Sequence, residues 1–180
     1  MIAWAWLAIL MTGGADGDRC MSQVPARLAR DIDVKFPGCA LPRMDDNLAA
    51  DIAISRRHGG NGCLGAACAD FDGDGADDIA LLLTCAKDEE VLVVVALSDD
   101  GMWRVEKLRT WKSERSRIYV AVVPPGKYAR SESFDGPPSE AGEMQFVESK
   151  LPGIVTGRTE ASGIHYFLRA DGWKHGWVTN

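Results

Sequence analysis

Short apolar runs alternate with glycine, proline and acidic residues through most of the chain, a pattern typical of β-strands joined by turns. From residue 79 onward the pattern predicts strands at 79–84, 91–97, 102–108, 118–123, 144–147, 152–157, 164–169 and 173–179. The run 91–95 is continuously apolar, so we expect its strand to lie at the centre of a sheet with both faces buried. The polar segment 127–143 is predicted to be a long loop.

The first third of the chain predicts one helix. Apolar residues over 23–35 recur at helical spacing, and Ser22 precedes them as a candidate N-cap. The positions expected to face a core are Leu28, Ile32 and Phe36. Farther along, the isoleucines of 51–55 stand two residues apart, which predicts a half-buried strand. Together these elements predict an α+β fold, mainly β, arranged as an antiparallel β-meander with one N-terminal helix.

The chain opens with an apolar run at 2–11 that is too short to span a bilayer. Small residues follow at 12–15, as a signal peptidase requires. We therefore expect 1–15 to be a signal peptide and 16–180 to be a single mainly-β domain. Because no positive charge other than the N-terminus precedes the run, a buried N-terminal strand or helix is the alternative interpretation. The predicted location is periplasmic or secreted, with no membrane span.

Composition and charge narrow the classes of partner. The chain has 180 residues, enough for one domain with a substantial core, and its 46% hydrophobic and 26% charged residues are ordinary for a globular protein. The formal net charge is −6, and no basic stripe interleaved with aromatic residues is present. Both observations argue against a nucleic-acid partner. Much of the negative charge lies in one short segment, so a bound divalent cation would reduce it.

That segment is 70–78, with the sequence DFDGDGADD, directly before the strand predicted at 79–84. Its carboxylates repel one another unless a cation lies between them. Aspartates at positions 1, 3 and 5 of a tight loop turn toward one centre, and a carbonyl at position 7 and a side chain at position 9 complete an oxygen shell suited to Ca²⁺. The predicted ligands are Asp70, Asp72, Asp74, the carbonyl of Ala76, and Asp78. The alternative is an acidic, solvated turn that binds nothing.

The segment 69–80, ADFDGDGADDIA, also carries a family resemblance. It begins like an EF-hand loop, but the position of the EF-hand glutamate is Leu81, and a strand-like run replaces the second helix. Its residue pattern resembles the calcium loop of FG-GAP (integrin-type) and VCBS repeats. The resemblance implies a calcium site ahead of a strand. It spans about a dozen of the 180 residues, in one copy where those families build a β-propeller from several, so it carries over the metal site and not the architecture.

Cysteine content adds a second constraint. The five cysteines are Cys20, Cys39, Cys63, Cys68 and Cys85. In an oxidising compartment they allow two bridges and one free thiol, with about fifteen arrangements open. Three of them, Cys63, Cys68 and Cys85, flank the acidic segment, so a bridge among them would hold it for metal binding. A zinc site that includes His58 is less favoured, because paired C-x-x-C spacing is absent.

No catalytic set emerges from the sequence. The acid–base candidates are His58, His165 and His175, but the chain has no nucleophile elbow, phosphate loop or H-E-x-x-H run. If 171–172 forms a two-residue turn, His165 and His175 lie on different faces of the sheet, whereas a three-residue turn places them on one face. The tryptophans are candidates either for an aromatic recognition surface or for core packing. They are Trp103, Trp111, Trp173 and Trp177.

The sequence therefore predicts a calcium-stabilised exported protein without catalytic activity that works by binding another protein. A more specific hypothesis is an immunity or inhibitor protein that blocks a toxin or hydrolase in the bacterial envelope. One alternative is a metal-dependent hydrolase, whose metal would keep open positions beside a general base. Another is a carbohydrate-binding module, which would need coplanar exposed tryptophans.

Overall fold

The structure, a computed structural model, describes residues 18–86, 90–112, 114–133, 137–161 and 163–178. The signal peptide predicted at 1–15 lies outside these residues. Two α-helices occur in the described ranges, α1 (Ala26–Lys35) and α2 (Ala49–Arg57). Neither of them has the length and apolar character needed to cross a membrane.

Strands account for most of the regular structure in the same ranges. They are β1 (Cys39–Ala40), β2 (Ala66–Ala69), β3 (Asp78–Cys85), β4 (Glu90–Asp99), β5 (Met102–Trp111), β6 (Ile118–Val123), β7 (Gly126–Ala129), β8 (Phe146–Ser149), β9 (Gly153–Arg158), β10 (Gly163–Arg169) and β11 (Gly172–Val178). Every pairing between these strands is antiparallel. The prediction of an α+β fold that is mainly β, with antiparallel sheets, is confirmed.

The strands divide among three sheets. The first sheet runs β3–β4–β5, and β1 and β2 pair with opposite ends of the same edge of β3. The second sheet has the order β11–β10–β9–β6, and β7 and β8 form a separate two-stranded ribbon. Consecutive strands pair in the manner of a meander within β3–β5 and within β9–β11. Between these two parts, β6 pairs with β9 across the inserted ribbon.

The central strand β4 belongs to two cores at once. Its residues 91–97 are all buried, as the continuous apolar run predicts. Leu92, Val94 and Ala96 face a first core beneath α1, which contributes Leu28 and Ile32. The alternate residues face a second core, where the first sheet packs against β6, β9 and β10 of the second sheet. A third, smaller core lies between the second sheet and the β7–β8 ribbon.

The strand predicted at 51–55 is wrong, because these residues belong to α2. Two-residue spacing of Ile52 and Ile54 suits one face of a strand, but in the helix it leaves Ile52 half-buried and Ile54 exposed. Alanines within the helix favour it, and Asp51 in the first turn and two arginines in the last turn complement the helix dipole. Helix propensity therefore outweighs a spacing that rests on two residues.

Other predicted boundaries shift by a few residues. The helix predicted over 23–35 begins at Ala26, after Pro25, so Ser22 is not its N-cap. The predicted long loop at 127–143 contains most of β7, and the strand predicted at 144–147 lies at 146–149. The two differences in the ribbon arise because its polar strands carry little apolar alternation.

Two disulfides cross-link the first sheet and the segments that precede it in the chain. Cys20 pairs with Cys63, and Cys39 pairs with Cys85. The second bridge joins residues that lie opposite each other in the pairing of β1 with β3. Cys68 is a free, exposed thiol. The predicted bridge among the three cysteines that flank the acidic segment is therefore not formed, because two of them pair with cysteines farther toward the N-terminus.

Candidate metal centre

The acidic segment is the turn of a β-hairpin. Its flanking strands β2 and β3 pair up to Ala69 and Asp78, so the loop 70–77 is held at both ends by the first sheet. Phe71 is fully buried in the second core and anchors the loop from within. Gly73 and Gly75 have φ angles of +84° and +90°, a left-handed conformation that side chains with a Cβ resist. The sequence thus folds this segment tightly by means of one apolar anchor and two glycines.

Aspartate side chains hold the loop closed by accepting hydrogen bonds from its own backbone. Asp70 accepts from the N–H of Gly73 at 2.6 Å and of Gly75 at 3.0 Å. Asp72 accepts from the N–H of Asp74 at 3.2 Å. Such bonds between a side chain and the backbone two to five residues later are the usual way in which aspartate shapes a turn. They also leave the remaining lone pairs of these oxygens free for another partner.

Asp78 connects the loop to the rest of the first sheet. Its carboxylate is fully buried and accepts hydrogen bonds from the backbone N–H of Phe71 and of Ser98, each at 2.8 Å. Burial raises the pKa of Asp78 above its ordinary value, the two N–H groups oppose that change, and the negative charges of Asp72 and Asp74 add to it. A positive charge at the loop would favour the ionised form.

The loop brings three of the five predicted ligands together. One carboxylate oxygen from each of Asp70, Asp72 and Asp78 lies within 4.8 Å of the other two. Two ligands of one Ca²⁺, each 2.3–2.6 Å from the ion, are at most about 5 Å apart, so the spacing fits a single cation. Asp74 is not part of this group, and its carboxylate instead accepts the N–H of Ala76 at 2.7 Å. The donor set is oxygen only, which suits Ca²⁺ or Mg²⁺ better than a transition metal.

The three histidines do not meet. Arg169 pairs with Gly172 in the β10–β11 hairpin, so the two-residue turn is 170–171, and His165 and His175 point to different faces of the sheet. His165 packs against Tyr128 of the ribbon, with ring centres 4.9 Å apart. His58 is exposed at the end of α2. The histidines therefore give no joint acid–base site.

The tryptophans are partly buried, and their geometry favours packing. The rings of Trp111 and Trp177 stand nearly perpendicular, at 87°, with centres 6.2 Å apart. The guanidinium carbon of Arg109 lies 5.2 Å from the centre of each ring, a cation–π arrangement. Trp103 packs against the first core and Trp173 against the second. The Trp111–Trp177 pair thus lacks the coplanar faces that a flat sugar ring would need.

Sequence reasoning missed a second group of polar residues. Arg109, Glu140 and Tyr166 lie with His175 around a polar cavity between the two sheets. These residues come from three separate parts of the chain, so no local motif marks them. The only sequence signal is the cationic pair Lys107 and Arg109 in a strand that otherwise alternates.

Comparison of the chain with models of protein families, with curated proteins and with solved structures found no match in any of the three. The resemblance to FG-GAP and VCBS calcium loops therefore rests on the residues of the loop.

Proposed function

We propose that this chain is a calcium-stabilised protein of an oxidising compartment outside the cytoplasm, periplasmic or secreted, and that it acts by binding another protein. The observation that carries the proposal is the convergence of carboxylate oxygens from Asp70, Asp72 and Asp78 within 4.8 Å of one another. In this proposal the loop 70–78 holds Ca²⁺. Asp74, whose carboxylate accepts the Ala76 N–H in the structure, would turn to the ion, and the carbonyl of Ala76 and water would complete the shell.

The bound ion has a structural role in this proposal. Asp78 is buried and hydrogen-bonded on one side to the loop and on the other to β4. A cation that draws Asp70 and Asp72 toward it ties the β2–β3 turn to the centre of the first sheet. It also offsets the mutual repulsion of the acidic side chains. That repulsion is strongest for Asp78, because its buried carboxylate is not screened by water.

Disulfide bonding supports the proposed location. Two bridges form among the five cysteines, and bridges persist chiefly in oxidising compartments. Calcium modules that work outside the cytoplasm bind the ion with Kd of about 10⁻⁴ to 10⁻³ M, an affinity that a partly exposed loop with three convergent carboxylates can reach.

A protein partner is supported by the apolar surface of the β7–β8 ribbon. Phe146 is 68% exposed there, and it borders a shallow groove with Tyr128 and Val147. Exposed aromatic side chains are typical anchors of protein interfaces. The partner we propose is a toxin or hydrolase of the bacterial envelope, which this chain would block as an immunity or inhibitor protein.

Calorimetric titration of Ca²⁺ into protein freed of metal with EGTA tests the metal site. We expect saturable binding, weakened at least about tenfold by Asp72→Asn, which keeps the acceptor of the Asp74 N–H but removes a charge. The matched control is Asp99→Asn, an exposed carboxylate at the end of β4, and it should bind like wild type. A folded wild-type protein that takes up no Ca²⁺ at millimolar concentration would refute the metal site.

The partner is tested separately. Immobilised protein is offered a panel of purified envelope hydrolases and secreted toxins, with Phe146→Ser as the disrupted variant and Val34→Ser, an exposed residue of α1, as its control. We expect one class of partner to be retained by wild type and by the control but not by Phe146→Ser. Retention of none of them, or equal retention by all three proteins, would count against the proposed partner.

A further inference from the structure

A polar cavity of about 270 Å³ lies between the two sheets. The first sheet contributes β5, the second contributes β10 and β11, and the segment 140–141 closes one side. The polar and aromatic residues that line it are Lys107, Arg109, Glu140, Tyr166, Trp173 and His175. None of the residues of the acidic loop lines this cavity, so its chemistry is separate from that of the metal centre.

A bulge in β5 shapes the wall of the cavity. Val94 pairs with Lys107 and Val93 pairs with Arg109, so Leu108 is an extra residue in the strand. Successive side chains of a regular strand point to opposite faces, whereas a bulge redirects them. As a result, three consecutive residues of β5 line the same cavity. Bulges of this kind recur beside functional sites.

Arg109 already holds one carboxylate. Its two terminal nitrogens donate hydrogen bonds to the two oxygens of Glu140 at 2.8 and 3.1 Å, a bidentate arrangement. These bonds lower the pKa of Glu140, which is therefore ionised. The indole rings of Trp111 and Trp177 fix the guanidinium from behind. Glu140 itself is 44% exposed and enters the cavity from the surface.

The segment that carries Glu140 is fixed by buried groups. The Glu143 carboxylate, 2% exposed, accepts hydrogen bonds from Nε of Arg130 at 2.7 Å and from the backbone N–H of Ser139 and Glu140 at 2.8 and 3.1 Å. Although burial opposes it, these donors lower the pKa of Glu143 to about 2. The carbonyl of Gly142 accepts the N–H of His175 at 2.9 Å. The buried ion pair ties this surface segment to Arg130, and the backbone bond from His175 holds it against β11, so the position of Glu140 is fixed from two sides.

Two residues that line the cavity each carry a side-chain nitrogen with no hydrogen-bond partner in the described part of the chain. These atoms are Nε1 of Trp173 and Nε2 of His175, and both are buried. The His175 side chain is 7% exposed, and its Nε2 lies 3.4 Å from a Glu140 oxygen without forming a hydrogen bond. An unpaired buried polar atom destabilises the fold, so two such atoms beside one cavity call for a ligand.

The charge of the lining sets the sign of that ligand. Lys107 and Arg109 are cationic, and Glu140 is the one anion among the lining residues that the structure describes. Burial lowers the pKa of His175 despite the opposing charge of Glu140, so its ring is neutral at neutral pH. The indole N–H can only donate, and neutral imidazole can donate from Nε2. The unused groups are therefore donors around a net positive charge.

We propose that this cavity binds the carboxylate of a small organic acid, which replaces Glu140 on Arg109 and accepts hydrogen bonds from Trp173 and His175. The planar fork of an arginine matches a carboxylate, and Glu140 shows that the geometry is met here. A cavity near 270 Å³ is at the lower end of small-molecule sites, which restricts the ligand to a small acid. This site does not depend on calcium in the acidic loop.

Nuclear magnetic resonance of ¹⁵N-labelled protein tests the proposal, with the indole N–H signals as the readout. The probes are acetate, succinate, inorganic phosphate and glycerol, each titrated at constant ionic strength in EGTA. We expect acetate or succinate to shift the Trp173 signal, identified by its loss in Trp173→Phe, along a saturable curve. Glycerol, which has no charge, should leave the signal in place.

Variants separate the proposed site from a general salt effect. Glu140→Gln removes the competing anion, so carboxylate affinity should rise about fivefold or more. Trp173→Phe removes one donor and should lower affinity at least threefold, measured by the shift of the remaining cavity signals. The control Glu148→Gln, an exposed carboxylate of β8, should match wild type. Absence of saturable shifts with both carboxylates in wild type and in folded Glu140→Gln would overturn the proposal, as would saturation by phosphate alone.

Discussion

The free energy of unfolding should decrease less on acidification in His165→Phe than in wild type. His165 is 6% exposed on the face of β10 that packs under the ribbon, and its Nδ1 has no hydrogen-bond partner in the described residues. Its ring packs edge-on against Tyr128. Burial lowers the pKa of His165 from an ordinary value of 6.5 to about 4. The folded protein therefore keeps this ring neutral over a pH range in which the unfolded chain charges it.

The sign and the size of the effect follow from that difference. As pH falls below 6.5 the unfolded chain binds a proton that the folded chain refuses until pH approaches 4, so the free energy of unfolding decreases on acidification. One proton costs about 1.4 kcal/mol per pH unit, which over this window amounts to about 3 kcal/mol. That is a substantial share of the roughly 5–15 kcal/mol by which domains are stable.

Urea unfolding at a series of pH values between 7.5 and 4.0 measures the effect. The quantity to compare is the change in unfolding free energy across the range, because a fixed packing difference between His165→Phe and wild type then cancels. We expect wild type to lose about 3 kcal/mol more than His165→Phe. His58→Gln, a change at an exposed histidine, should follow wild type. Parallel curves for wild type and His165→Phe would show that the folded state accepts the charge.

Three further predictions concern the loop, the core and the segment beside the cavity. Raising Ca²⁺ from zero, in EGTA, to 10 mM should stabilise the protein by about 1.4–2.7 kcal/mol for the proposed affinity, seen as a melting point several degrees higher; an unchanged melting point would contradict it. Phe71→Ala should cost about 3–5 kcal/mol in urea unfolding, whereas exposed Val34→Ala should stay within about 0.5 kcal/mol of wild type, and equal losses would refute the anchoring role. Gly142→Ala should destabilise more than Gly101→Ala: both have φ near +80°, but only at Gly142 would a Cβ meet a carbonyl oxygen, 2.9 Å away. Equal melting points for these two variants would show that the backbone near Gly142 relaxes to admit a Cβ without loss of stability.

Local patterns in the sequence were enough to predict many of the strands. The apolar run of β4 and the Asp-Gly turn after it identify a buried strand and its hairpin, because burial on both faces and a tight turn each leave a short-range signature. They were not enough for α2, where two isoleucines at strand spacing lie in a surface helix. A short element with no buried residue carries little periodicity, so propensity decides its form.

Contacts between residues far apart in the chain could not be predicted from local patterns. Cys39 pairs with Cys85 because the pairing of β1 with β3 sets them opposite each other, and that pairing has no local signal. Of the predicted ligands, Asp70, Asp72 and Asp78 converge as their spacing indicates, since the loop that joins them is only nine residues long. Arg109 and Glu140 stand 31 residues apart and meet only after two sheets pack. Chemistry built within one loop can be predicted from sequence, and chemistry built between sheets requires the fold.

The double-sided burial of β4 has a consequence for how the first sheet assembles. A strand that is equally apolar on both faces can slip by one residue against its neighbour. Each of its faces would then turn to the opposite core and still bury apolar side chains, so hydrophobicity alone does not fix its register. Two contacts resist such a slip: the carboxylate of Asp78, which takes the N–H of Ser98 near one end of the β3–β4 ladder, and the covalent link at Cys85 near the other. The hydrogen bond from Ser98 to Asp78 thus helps to set the register of β3 against β4, and its loss would leave the disulfide at Cys85 as the remaining one of these two restraints.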